Sequence, residues 1–198
     1  MDNPLSYLNY SKFMQEAIIA ALNTKAFPNP KVAAVLTDNK GNIKSTGVHH
    51  GPGTNHAEID LLTKTTIDTD DVLYVTLEPC FHADSSPSCA VELLNTSLQN
   101  IVIGDIDVDP RTNGKSIDLF KSKGLNIQFE YNANNIINPH YLNQKTNENS
   151  NTIIGKIASS QNNYIYNDQT EDKYISNDIS LGLTHILRAS VDGIAIGK

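Results

Sequence analysis

The sequence predicts an α/β fold with a mixed sheet and helices on both faces, a three-layer α/β/α arrangement. Short β-rich apolar runs recur at 32–37, 72–77 and 101–106, and segments of helical spacing separate them. The turn DNKGN joins the first of these runs to IKSTGV, a hairpin signal in which Gly41 can adopt a positive φ.

Taken in order, residues 4–22 place Leu5, Leu8, Ala17, Ile18 and Ala21 at mostly helical spacing, so an amphipathic helix is expected. FPNP at 27–30 ends it, because proline cannot continue a helix. VAAVLT (32–37) and IKSTGV (43–48) form the hairpin. GPGTN leads into HAEIDLLTK, a second helix with Thr54 or Asn55 as its N-cap. VLYVTL (72–77) reads as a buried strand. SSPSCAVELLNTSL reads as a helix capped by Ser86 with Pro87 at its first position. IVIGDI (101–106) is a strand, GKSIDLFKSKG (114–124) a helix closed by Gly124, and LNIQFE the last strand. The polar, Asn-rich stretch 132–151 has little periodicity and reads as a linker between a domain at 1–131 and a further α/β segment at 152–198.

Composition narrows the function. The net charge of −7 offers no basic face, which argues against nucleic acid as a partner. No apolar run approaches the roughly 20 residues of a membrane span, and the N-terminus lacks signal-peptide character, so a cytoplasmic location is expected. In that compartment the two cysteines point to metal or to buried thiols rather than to a disulfide.

Three segments carry the chemistry: His56-Ala57-Glu58, Pro79-Cys80, and Cys89 early in the third helix. One imidazole and two thiolates suit a zinc site with three protein ligands and a fourth position for water. A helix N-terminus favours the thiolate that binds metal. Glu58, two residues beyond His56, stands where a proton shuttle belongs. Each residue alone has a plainer reading: a capping-box glutamate, inert thiols, a surface histidine. Together, in this order, they form the H-x-E…P-C pattern of zinc deaminases acting on nucleobases and related heterocycles. Eight residues separate the cysteines instead of the usual two, which leaves a loop placed to touch substrate.

Over residues 9 to 131 the chain resembles the N-terminal pyrimidine deaminase domain of the bifunctional riboflavin-biosynthesis deaminase/reductase family. PNPKV (28–32), GVHHGPGTNHAE (47–58), YVTLEPCFHADSSPSC (74–89) and GDIDVDPRTNGKS (104–116) carry the resemblance. It implies a cytidine-deaminase-like fold and deamination of 2,5-diamino-6-ribosylamino-4(3H)-pyrimidinone 5′-phosphate. It implies one Zn2+ per chain on His56, Cys80 and Cys89, with Glu58 catalytic. Asn29, His49, His82, Asp107 and Asp109 match positions expected near the substrate, and a homo-oligomer is expected. The family carries Arg or Lys where this chain has Ser85, and a lost cation there affects affinity for an anionic substrate or its identity. Ala83, Asp84, Ser88, Val108 and Ser116 also depart from the family pattern.

IGKIASS, with Lys156 and Ser159, and THILRASVDGIAIG, with His185 and Arg188, resemble the opening of the family's reductase half. Asn162-Asn163 stands where the family has Asp-Gly. No reductase activity is expected from this chain as given, and NADPH only if a complete reductase domain is supplied elsewhere. Two other readings compete: deamination of another small heterocycle or base, and a catalytically silent zinc-binding protein, against which the retained Glu58 argues.

Overall fold

In the computed structural model, residues 10–83, 87–138, 141, 153–160, 162–165, 175–176, 181, 184–185, 187–188, 191 and 193–196 are described. The expected helical residues 4–9, with Leu5 and Leu8, lie outside them, as do Asp84, Ser85, Ser86 and residues 139–140 and 142–151 of the expected linker. The chain divides into two compact units, Met1–Ser150 and Asn151–Lys198.

The first unit is built on a five-stranded mixed sheet in the order β2-β1-β3-β4-β5, with β1 Ala33–Thr37, β2 Ile43–Val48, β3 Val72–Val75, β4 Asn100–Ile103 and β5 Asn126–Phe129. The hairpin makes β1 and β2 antiparallel, and Gly41 takes φ +77° in its turn. β3 runs antiparallel to β1 and parallel to β4, which is parallel to β5. Because side chains alternate across a strand, one face collects Leu36, Leu73, Val75, Ile101 and Ile103. Against it pack α2 (Ala57–Leu62), α3 (Cys89–Leu94) and α4 (Lys115–Ser122), through Leu61, Leu93 and Phe120. The other face meets α1 (Lys12–Leu22), whose Phe13 ring lies 5.2 Å from Tyr74 of β3. Central β1 is buried along its whole length, which explains its unbroken apolar run.

Three sequence expectations are corrected. Ser88, not Ser86, caps α3: its Oγ accepts the Val91 N–H at 3.2 Å, so Cys89 becomes the first helical residue. The N-cap of α2 is His56 rather than Thr54 or Asn55, and its side chain makes no capping bond. The Thr54 hydroxyl donates to the Gly51 carbonyl instead, at 2.7 Å. Finally, part of the expected linker is folded: α5 (Ala133–Ile137) packs into the first unit. Asp105 accepts the backbone N–H groups of Asn132 and Asn134 at its start. At its end buried Asn138 clasps the backbone of Lys31, accepting from the N–H at 2.7 Å and donating to the carbonyl at 2.8 Å. Asparagine lacks hydrophobic periodicity, so nothing in the pattern of 132–138 announced a helix.

In the second unit, the turn at 160–164 closes with Ser160 N–H on the Tyr164 carbonyl at 2.8 Å. Asn163 takes φ +66°, a left-handed conformation that glycine adopts most easily and asparagine tolerates.

Candidate active site

The parallel strands β3 and β4 end side by side, and the segments that leave them carry the site, the usual place for ligands in such sheets. β3 continues into Leu77, Glu78 and Cys80, and β4 into the loop bearing Asp107, Asp109 and Arg111. Glu78 N–H donates to the Asp105 carbonyl at 2.8 Å and so ties the two exits together. The buried Glu78 carboxylate then gathers the loop: it accepts from the backbone N–H of Asp107, Gly114 and Ser116, and from the Ser116 hydroxyl at 2.6 Å.

α2 reaches the site because it lies directly on β2. A Cβ at Gly47 would collide with the Ala57 carbonyl oxygen and stand 2.6 Å from Leu61 N. That close approach sets His56 at the mouth of the fold and buries Glu58 two residues further on. As the second residue of α2, with no capping bond recorded, Glu58 is not a capping-box glutamate.

His56, Cys80 and Cys89 converge, with one ligand atom from each lying within 4.8 Å of the others. Cys89 Sγ is 3.4 Å from His56 Nδ1, and Cys89 N–H donates to Cys80 Sγ at 3.3 Å. Donation from Cys89 holds the Cys80 thiol down, at about 4, and the Cys89 thiol is correspondingly raised. Burial first, and then the Cys80 thiolate, lifts the Glu58 carboxyl to about 7. An imidazole nitrogen and two sulfurs at this spacing fit a tetrahedral zinc ion, which would take both sulfurs as thiolates.

His56, Glu58 and Cys80 line a cavity of about 390 Å³. The sequence-predicted residues Asn29, His49, His56, Glu58, Cys80, His82, Asp107 and Asp109 all reach it. Cys89 does not; it lines a second space of about 610 Å³ behind the ligands, together with His56, Ile59, Leu62 and Glu92. Ser85 lies outside the described residues.

Three participants escaped sequence reasoning. Arg111 is the only lysine or arginine among the described residues lining the cavity, and its guanidinium forks onto the Asp109 carboxylate, with Nη2 at 2.8 Å. Its place four residues after Asp107 was the available signal. Tyr141, from the expected linker, lines the cavity and donates its hydroxyl to Asp107 Oδ1 at 2.7 Å. Burial, then the Asp107 charge, raises its phenol above the ordinary range. Thr112 accepts from Phe81 N–H at 3.3 Å and stands 3.1 Å from His82 Nδ1, which fixes the base of the inter-cysteine loop.

The cytidine and deoxycytidylate deaminase zinc-binding region matches residues 8–105. The diaminohydroxyphosphoribosylamino-pyrimidine deaminase of Buchnera aphidicola subsp. Schizaphis graminum is 33% identical over 102 residues, which are 51% of this chain and 69% of that protein. This chain belongs to the riboflavin-biosynthesis deaminase family. The family is zinc-binding, in keeping with the His/Cys/Cys group. The riboflavin biosynthesis protein RibD of Aquifex aeolicus is 27% identical over 198 residues, covering 93% of this chain and 53% of that protein. The chain thus spans about half the length of this RibD relative. Among solved structures, Acinetobacter baumannii RibD superposes with a TM-score of 0.60 at 27% identity, over 68% of this chain and 39% of that one. The Thermotoga maritima deaminase/reductase shares the fold, with a TM-score of 0.65 at 24% identity over 88% of this chain and 51% of that one.

Proposed function

We propose that this chain is a zinc-dependent hydrolase that deaminates 2,5-diamino-6-ribosylamino-4(3H)-pyrimidinone 5′-phosphate, releasing ammonia. The observation that carries the reading is Glu58: a buried carboxylate beside the His56, Cys80, Cys89 group, facing the same cavity. A structural zinc site has no use for such a group.

His56, Cys80 and Cys89 would hold the zinc. In such a site zinc supplies Lewis acidity, which makes water a nucleophile at neutral pH. Glu58 takes one proton from water as the oxygen adds to the amino-bearing ring carbon and gives it to the ring nitrogen, then carries the remaining hydroxyl proton to the departing amine. The C–N bond breaks, a carbonyl remains and ammonia leaves. Burial keeps the Glu58 carboxyl poised near neutrality, the range in which one group can both accept and return a proton. Asn29, His82, Asp107 and Asp109 bound the space for the ring and ribose. Arg111, held on the Asp109 carboxylate, is the cation of the described lining and the candidate contact for the substrate's phosphate.

In this reading the deaminase domain runs from residue 1 through α5, beyond the expected boundary at 131, and residues 152–198 are the start of a reductase domain. The substrate is a small phosphorylated pyrimidine rather than nucleic acid, in keeping with the net charge of −7. A homo-oligomer is taken as the assembly state, as the family resemblance implies. Among the described residues no helix is long and apolar enough to cross a membrane; the location is taken as cytoplasmic.

The test is metal analysis with an ammonia-release assay on this pyrimidine for wild type and Glu58→Gln. About one zinc per chain is expected in both proteins, with the variant slowed by about 10²-fold or more. Wild-type turnover in the variant would remove Glu58 from the mechanism. Release from a different base, but not from this one, would reassign the substrate.

A further inference from the structure

His49 was expected to touch substrate, yet its hydrogen bonds within the protein give it another task. The ring is buried, 4% exposed, and both nitrogens have partners. Nδ1 lies 2.9 Å from the Asn55 carbonyl oxygen, which can only accept, so Nδ1 carries the hydrogen. The Thr54 hydroxyl, 3.5 Å from the same nitrogen, gives its own hydrogen to the Gly51 carbonyl at 2.7 Å and presents a lone pair to the ring. Both neighbours therefore require the same tautomer. Nε2 is then a bare acceptor, and Asn29 Nδ2 donates to it at 3.0 Å.

The backbone beneath Asn29 is already fixed. Pro28 and Pro30 flank it, its N–H donates to the Ala26 carbonyl at 2.9 Å, and Asn138 clasps Lys31. What remains undetermined is which end of the Asn29 amide meets the substrate. From this geometry we infer that His49 is a positioning residue whose Nδ1–H tautomer captures the Asn29 amino group, so that Asn29 offers the cavity its carbonyl oxygen. Asn29 thereby selects a hydrogen-bond donor on the substrate, an amino group or a ring N–H, and His49 acts through Asn29.

This inference rests on the deaminase reading for its kinetic consequence, but not for its structural one. Nitrogen NMR of the histidines in the zinc-loaded wild type should show His49 protonated at Nδ1 and bare at Nε2 at neutral pH. The opposite tautomer, or a doubly protonated ring, overturns the inference. Kinetically, His49→Phe should lower kcat/KM by about 10- to 100-fold, as expected when a substrate-orienting group is displaced. The Asn29→Ala, His49→Phe double variant should be no worse than Asn29→Ala alone. Losses that multiply would mean that His49 meets the substrate itself, and would overturn the positioning role. Failure of the wild type to release ammonia from the pyrimidine would instead sink the functional reading, and the NMR spectrum would still decide the tautomer.

Discussion

Glu78 shows how much one side chain can organise. Its carboxylate is buried and accepts four hydrogen bonds from the loop that carries Asp107, Asp109 and Arg111. Glu78→Gln replaces one acceptor oxygen by an amino group that faces backbone donors. Leaving those donors unsatisfied costs about 1–3 kcal/mol, which thermal unfolding should register as a lower Tm; an unchanged Tm would show that the loop holds without this carboxylate. Ser116→Ala, which removes one of the four bonds, should be milder, about 1 kcal/mol. Nothing in the sequence separated Glu78 from an ordinary surface glutamate, because its partners lie up to 38 positions away. His56, Glu58, Cys80 and Cys89, by contrast, were legible as residues: metal chemistry restricts the ligand types, and the short H-x-E spacing keeps the base beside the metal. The choice of cap for α2 was not legible, since Thr54 and Asn55 are equally good candidates by residue type, and the Thr54 hydroxyl is taken instead by the Gly51 carbonyl.

At the scale of elements, the decisive contact is α2 on β2. Strand positions were readable from β-rich runs and the hairpin, and β2 was placed at its observed bounds. How closely α2 would approach was not, although Gly47 is the residue that permits it. Gly47→Ala must push the helix outward, at a cost of about 1–3 kcal/mol or more. Because His56 caps that helix, the shift should also weaken zinc binding. Tm and zinc affinity, the latter from chelator competition, should therefore fall together; a drop in Tm with unaltered zinc affinity would uncouple the helix position from the site. α5 is the opposite case. Its asparagines carry no periodic signal, yet Asn138 is what anchors the Lys31 backbone beside Asn29.

Across the first unit, a zinc ion on His56, Cys80 and Cys89 would link segments that no covalent bond joins. His56 begins α2, Cys80 follows β3 and Cys89 begins α3, so the bound ion would fasten both helices to the sheet. A ligand that binds only the folded state stabilises it by mass action, about 2.7 kcal/mol at a hundredfold excess over Kd. For a protein of this size that corresponds to a Tm shift of roughly 5–10 °C. Stripping with a chelator should lower Tm by that amount and readdition of zinc should restore it; an indifferent Tm would mean that the ion contributes to chemistry without contributing to the fold.

The sequence by itself determined the order of the five strands and of α1 to α4, and it marked His56, Cys80, Cys89 and Glu58 as the candidate ligands and base, because these depend on residue type and local spacing. Only the tertiary structure decided that Glu58 is buried rather than capping, that His49 turns toward Asn29, and that Tyr141 and Arg111 complete the cavity. Those outcomes rest on contacts between residues far apart in the chain, such as Lys31 with Asn138 across 107 positions, and no local pattern encodes which distant partner a polar side chain will find.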